Sequence, residues 1–181
     1  MAKLTEAEKK KLAKAKKAVA KMRATKMPGK KKTKKKVPAT LTVTHTEAVT
    51  LNGVDRGVTN TLTIASINEI SHRIVTIDTA AARTLLTLGT TAGAGSFIKT
   101  NIRYIRITNK DNTNFVTLGL INTGGDTAYI KLEAGQTFCI YNDDIDAKTN
   151  GSAWASWSVI DTFNAQADTA DVDLEVFVAS V

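Results

Sequence analysis

Ile102-Arg103-Tyr104-Ile105-Arg106-Ile107, Phe115-Val116-Thr117-Leu118-Gly119-Leu120-Ile121, Tyr129-Ile130-Lys131-Leu132 and Thr137-Phe138-Cys139-Ile140-Tyr141 are four apolar runs within residues 101–141. Turn chemistry closes the first three: Asn109-Lys110-Asp111-Asn112, then Asn122-Thr123-Gly124-Gly125-Asp126, then Ala134-Gly135. Asn and Asp side chains bond locally to the backbone and glycine accepts positive φ, so these clusters interrupt strands. The runs are short and rich in β-branched and aromatic residues, which selects strand over helix. Taken in order, they predict an antiparallel meander.

The same period of two extends in both directions. Leu41, Val43 and His45 share one face of a strand, with Thr42, Thr44 and Thr46 on the other. Val49-Thr50-Leu51 runs into the turn signal Asn52-Gly53, and further runs follow at 58–67, 73–77 and 84–88. Near the C-terminus Val172, Leu174, Val176 and Val178 alternate with Asp171, Asp173, Glu175 and Phe177, one aliphatic face backed by one that begins acidic. Eight to ten such strands imply an all-β domain over 39–181, an antiparallel β-sandwich or a jelly-roll-like variant of it.

Residues 1–38 are of another kind. Fifteen lysines and Arg23 face two glutamates, a charge of +14, whereas residues 39–181 hold nine basic and fifteen acidic groups, a charge of −6. The overall +8 therefore describes the arm and misdescribes the domain. Thr5-Glu6-Ala7-Glu8 matches a capping box, Thr5 as N-cap and Glu8 three residues on, and predicts an amphipathic helix over about 5–25. Leu12, Ala15, Val19 and Met22 form its thin apolar stripe, and Lys10, Lys14, Lys17 and Lys21 its basic face. Pro28-Gly29 ends it, and Lys30-Lys31-Lys32-Thr33-Lys34-Lys35-Lys36 follows as a low-complexity basic run. Such a segment repels itself and is ordered by a partner, a polyanion or an acidic protein surface. Lysine lacks the planar fork of arginine, so nucleic acid, if bound, is bound without sequence reading.

Several function classes find no support in the residues. The two histidines, His45 and His72, have no ligand or triad partner at a recognisable spacing, no serine lies in a G-x-S-x-G context, and no catalytic residue, cofactor or metal site is assigned. Three carboxylates in the turn at 142–146 lack the EF-hand spacing. The small-residue loop at 90–96 lacks the GxxxxGK[ST] spacing of a phosphate cradle and reads as a loop tip. The single cysteine, Cys139, excludes an intrachain disulfide, reads as a small buried hydrophobe and fits maturation in a reducing cytoplasm. No apolar run reaches the ~18 residues of a membrane span, and no apolar stretch behind the first lysines suggests a secretory signal. Trp154 and Trp157, three apart, point to opposite faces of a strand, so one fills the core while the other, with Phe177, is a candidate interface residue.

Tyr104-Ile105-Arg106-Ile107-Thr108-Asn109, then Asn114-Phe115-Val116, then Leu132-Glu133-Ala134-Gly135-Gln136 together resemble a rhythm of small β-sandwich virion proteins of tailed phages, over about a quarter of the chain. The resemblance implies a capsid decoration or cement protein, made in the host cytoplasm and carried on the virion. Its implied partners are the major capsid protein or other shell proteins and further copies of itself, a trimer being favoured. Lys10, Leu12, Lys14, Lys17, Val19, Lys21, Met22, Lys30, Lys31, Lys32, Lys34, Lys35 and Lys36 are then the expected tether. Two other readings stay open: a jelly-roll coat protein whose arm binds packaged nucleic acid, and a carbohydrate-binding sandwich built on the tryptophans.

Overall fold

The computed structural model describes residues 5–23, 37–122, 124–141 and 160–181. The chain divides into two compact units, residues 1–35 and 36–181. In the first, α1 (Glu6–Arg23) begins where the capping-box pattern predicts. The Thr5 amide and hydroxyl both donate to Oε2 of Glu8, at 2.8 and 2.9 Å, and the Lys9 amide closes the first turn on the Thr5 carbonyl at 3.1 Å. The bonds from Thr5 hold the Glu8 carboxyl below its usual range, and Glu6 and Glu8 lie where the helix dipole favours negative charge.

The second unit contains thirteen strands among its described residues. In chain order they are β1 (Ala39–Glu47), β2 (Thr50–Leu51), β3 (Val54–Asp55), β4 (Val58–Ile67), β5 (Glu69–Ile77), β6 (Arg83–Gly89), β7 (Ser96–Ile98), β8 (Ile102–Asn109), β9 (Val116–Asn122), β10 (Thr127–Leu132), β11 (Thr137–Ile140), β12 (Ile160–Ala167) and β13 (Val172–Ser180). Two sheets make an antiparallel sandwich. The larger runs β10-β9-β12-β6-β7 and the smaller β11-β8-β13-β5, every pairing being antiparallel except β6 with β7. Period two explains why the layers stick together. β13 turns Val172, Leu174, Val176 and Val178 inward, and they meet Ile77, Ile105, Ile107, Leu118 and Phe163, all buried. Each such fully buried side chain contributes about 1.5–3 kcal/mol. At Gly119 the backbone of β9 passes so close to the Asn164 side chain of β12 that a Cβ would lie 2.1 Å from Oδ1, so any larger residue there requires that side chain to move.

The consecutive meander expected over 102–141 does not form. Only β9 and β10 make a hairpin; β8 lies in the other sheet between β11 and β13, so the chain crosses the sandwich after β8 and crosses back after β10. The turn residues explain the difference. Asp111 Oδ1 accepts the amides of Thr113 and Asn114, at 2.7 and 2.6 Å, and Asn109 Oδ1 accepts the Asp111 amide at 2.9 Å. These side chain to backbone bonds bend the chain out of the plane of its sheet. Asn109, wholly buried, also donates from Nδ2 to the carbonyls of Asn114 and Leu132 at 2.9 and 3.1 Å, while its amide donates to the Gln136 carbonyl at 2.9 Å. Both crossings are thus tied to one side chain.

A separate ribbon, β1 paired with β4, departs from the sandwich and ends in the small β2-β3 hairpin. Asn52 and Gly53, at φ 51° and 77°, supply the two left-handed residues that a tight hairpin turn demands. The base of the ribbon is anchored: Ile67 is buried with Tyr104 and Ala179, and Leu41, Val43 and Ile64 pack there beside Cys139 and Phe177. Beyond it, every residue over 44–63 is exposed. The sequence pairs the ribbon's threonines across its outer face, Thr42 with Thr63, Thr44 with Thr61 and Thr46 with Thr59.

If Asn109 ties the two crossings, Asn109→Ala strands the buried Leu132 carbonyl and the half-buried Asn114 carbonyl and Asp111 amide, and lowers stability by about 3 kcal/mol. Asn112→Ala, on the exposed side of the same turn, changes it by less than about 0.5 kcal/mol. Denaturant midpoints at constant slope measure both; equal effects would remove Asn109 from this role.

Candidate interaction surfaces

The outer face of the smaller sheet is set by register. His72, Phe177, Arg106 and Cys139 lie side by side across β5, β13, β8 and β11, with Glu175 one step along β13. Glu175 accepts from Arg106 Nη2 at 2.5 Å and from His72 Nε2 at 3.0 Å, with Lys110 Nζ at 3.7 Å. The Arg106 bond, aided by His72 and Lys110, holds the Glu175 carboxyl below its ordinary range against the opposing effect of burial. Phe177 is half-buried under this network, its ring 5.9 Å from those of His72 and Tyr104 and 5.9 Å from the Arg106 guanidinium. Part of the face expected to meet a partner is therefore already used within the chain.

Where the ribbon crosses this face, the Cys139 thiol lies 3.8 Å from His45 Nε2, and the His45 ring 5.5 Å from that of Tyr141. Burial pushes the thiol pKa up despite the nearby Arg106 charge, the opposite of what an activated thiolate requires. Burial likewise raises Tyr104. Among the described residues no group of three or more His, Cys, Asp or Glu side chains is placed to hold a metal ion. Nor is any described helix long and apolar enough to cross a membrane.

A groove of about 630 Å³ opens between the start of β5 and residues 92–98. Arg73 forms one wall, donating to the Leu85 carbonyl at 2.5 Å and the Ser71 hydroxyl at 3.3 Å, with Phe97 under its guanidinium at 6.0 Å. The segment expected to be a flexible loop tip is pinned here. Gly93 and Ser96 exchange backbone bonds at 2.9 and 3.1 Å and Thr87 donates to Gly95 at 2.8 Å, so those amides are not turned toward a ligand.

The expected tether residues, Lys36 excepted, lie in the other unit. Lys10 and Lys14 are exposed on α1; Leu12, Lys17, Val19, Lys21 and Met22 belong to the same helix, but their side chains are outside the described set. Lys30, Lys31, Lys32, Lys34, Lys35 and Lys36 lie outside the described residues altogether, as do Trp154, Trp157 and the acidic turn at 142–146. Sequence reasoning passed over a different surface. Ten large hydrophobics are exposed among the described residues, and seven of them belong to the ribbon or to β5: Val49, Leu51, Val54, Val58, Leu62, Ile70 and Ile74. The signal was present in β5, where Ile70 and Ile74 fall on one parity and Val75 and Ile77 on the other, so each face carries two large aliphatic side chains. No protein-family model and no curated protein sequence matches the chain.

Because the native pKa of Glu175 is depressed, its contribution to stability is complete above the ordinary glutamate value of 4.5 and is lost as pH falls through the lower native value. Glu175→Gln should therefore flatten the fall of stability below pH 4.5 while costing stability near neutrality. Urea midpoints across the acid range measure this; parallel acid limbs for the two proteins would show that the network does not govern it.

Proposed function

We propose that the protein is a non-enzymatic structural component of a virus particle, of the capsid decoration or cement type of tailed phages. Its sandwich body sits on the shell, and its lysine-rich arm tethers it there. Shell proteins and further copies of the same chain are its partners in this reading, with the trimer as the favoured assembly. The observation that carries it is the division of labour between the two units. Residues 1–38, of charge +14, contain a helix closed by its own Thr5-Glu8 cap, whereas residues 39–181, of charge −6, are built as a β-sandwich. Neutralising phosphates in a packaged genome requires positive charge and no capped helix with an apolar stripe; docking on a protein surface uses both.

Leu12→Asp, Val19→Asp, Met22→Asp, Lys10→Gln and Lys14→Gln each lower the positive charge of the arm by one. On the tether reading the three apolar variants lose occupancy on depleted particles more than the two lysine variants, with and without packaged nucleic acid. The salt dependence of attachment persists throughout, because exposed charges are screened beyond about 8 Å at physiological ionic strength. Similar losses for all five, or occupancy that disappears from empty shells, would instead support an inward arm on the genome.

A further inference from the structure

The ribbon presents a physical problem that the chain does not solve by itself. A two-stranded hairpin is marginal in water unless its apolar side packs on something. Here the apolar side is covered only at the base, and the far part carries Val49, Leu51, Val54 and Val58 into solvent, Leu51 at 60% exposure. The outer face of the smaller sheet has the matching defect. The ribbon base covers it over β8, β13 and β11, at Tyr104, Phe177, Ala179 and Cys139, but leaves the β5 column bare, with Ile70 at 55% and Ile74 at 63% exposure. β5 is also an edge strand of nine residues without proline, paired on one side only among the described residues, the kind of edge that invites a further strand. Both patches stay exposed within one chain, so they do not cover each other.

We infer that the ribbon tip of one copy docks on the outer face of β5 of the next, Leu51 and its neighbours against Ile70 and Ile74. The face already accepts a ribbon along its other three strands, so a second copy's ribbon continues an existing mode of packing. Tip and face are different surfaces of the same chain, which makes the contact head-to-tail. Contacts of this kind close into rings when the rotation permits, and the favoured trimer is one such ring. The inference deepens the proposed function, resting on its self-association and naming the surfaces that carry it.

A mixing experiment on the full chain tests it. Leu51→Asp disables the tip and leaves the face intact; Ile74→Asp does the reverse. Leu51 and Ile70 are exposed and face no charged residue in register, so Leu51→Asp and Ile70→Asp keep the wild-type melting profile. Ile74→Asp sets a carboxylate opposite Glu175 and melts somewhat earlier, so Ile70→Asp is the control for the face and Val54→Asp the second version of the tip. Sedimentation at high micromolar concentration should show the wild type associated and each single variant weakened by ~10-fold or more, the factor that corresponds to a loss of 1.4 kcal/mol. Mixed, the two variants retain one intact tip and one intact face. The labelled Ile74 face of the Leu51→Asp variant should then show chemical-shift changes on titration with the unlabelled Ile74→Asp variant, while neither variant titrates itself.

Other results overturn the inference. A tip variant that associates like wild type beside a monomeric face variant would mean that β5 pairs with β5. Two monomeric variants that ignore each other on mixing would exclude a head-to-tail contact, and so would two variants that remain fully associated. A monomeric wild type would assign both patches to a different protein. Shell occupancy of these variants, whose arms are unchanged, is scored separately, so loss of self-contact and loss of the tether reading are told apart.

Discussion

Asn109 holds the two sheets to one another by something other than apolar contact at the β8 end, as Arg73 on the Leu85 carbonyl and Arg83 on the Thr76 carbonyl do between β5 and β6. Its amide and side chain reach Asn114, Asp111, Leu132 and Gln136, residues that open or close the crossings between the layers. Dispersion and hydrophobic burial press the sheets together but tolerate sliding; a wholly buried amide with several fixed partners does not. The alignment of β8 and β9 on opposite layers follows from it, and with that the facing of Ile105 and Ile107 toward Val116 and Leu118 in one core. The outer face of the smaller sheet is a further consequence. Once the inward parity of β8 is fixed, Tyr104 and Arg106 point outward, and the Arg106-Glu175-His72 network has its place.

That outer face shows how one sheet is apportioned between uses. Charge balance is settled within the chain around Glu175 and His72, the middle is covered by the ribbon base, and Ile70 and Ile74, on either side of His72 on β5, are left open. Along the ribbon the two faces differ in the same spirit. Its paired threonines offer hydroxyls to water and to each other, Thr44 to Thr61 at 3.5 Å and Thr59 to Thr46 at 3.3 Å, so that face stays solvated without carrying charge.

Much of the fold could be read directly from residue order. The period of two placed the inward residues of β13, the Asn52-Gly53 signal placed the hairpin turn, and Thr5 and Glu8 placed the start of α1. The pairing of strands was not legible, because an alternating strand fits either layer of a sandwich equally well. What decided between them was whether the Asn109 cluster reverses the chain within a sheet or bends it across, and that depends on the partners of the buried Asn109, which lie up to 27 residues away at Gln136. The β5 surface was half legible. Ile70 and Ile74 signalled two apolar faces, but an isoleucine covered by a ribbon and one left bare look alike in sequence, and the distinction came from where Leu41, Val43 and Ile64 land.

The strand order carries a consequence for how the chain reaches this state. β12 and β13 are the last strands described, and each occupies an interior position: β12 between β9 and β6, β13 between β8 and β5. Until residues 160–180 have been synthesised, the larger sheet is split between β9 and β6 and the smaller between β8 and β5. Contacts of such long sequence separation close late, because loop entropy must be overcome before they return any stabilisation. The ribbon, by contrast, is a local hairpin that can form as soon as it leaves the ribosome. A nascent chain thus forms its ribbon only transiently until β13 supplies Phe177 and Ala179 beneath its base, and during that interval the open strand edges are those most exposed to misassembly with neighbouring chains.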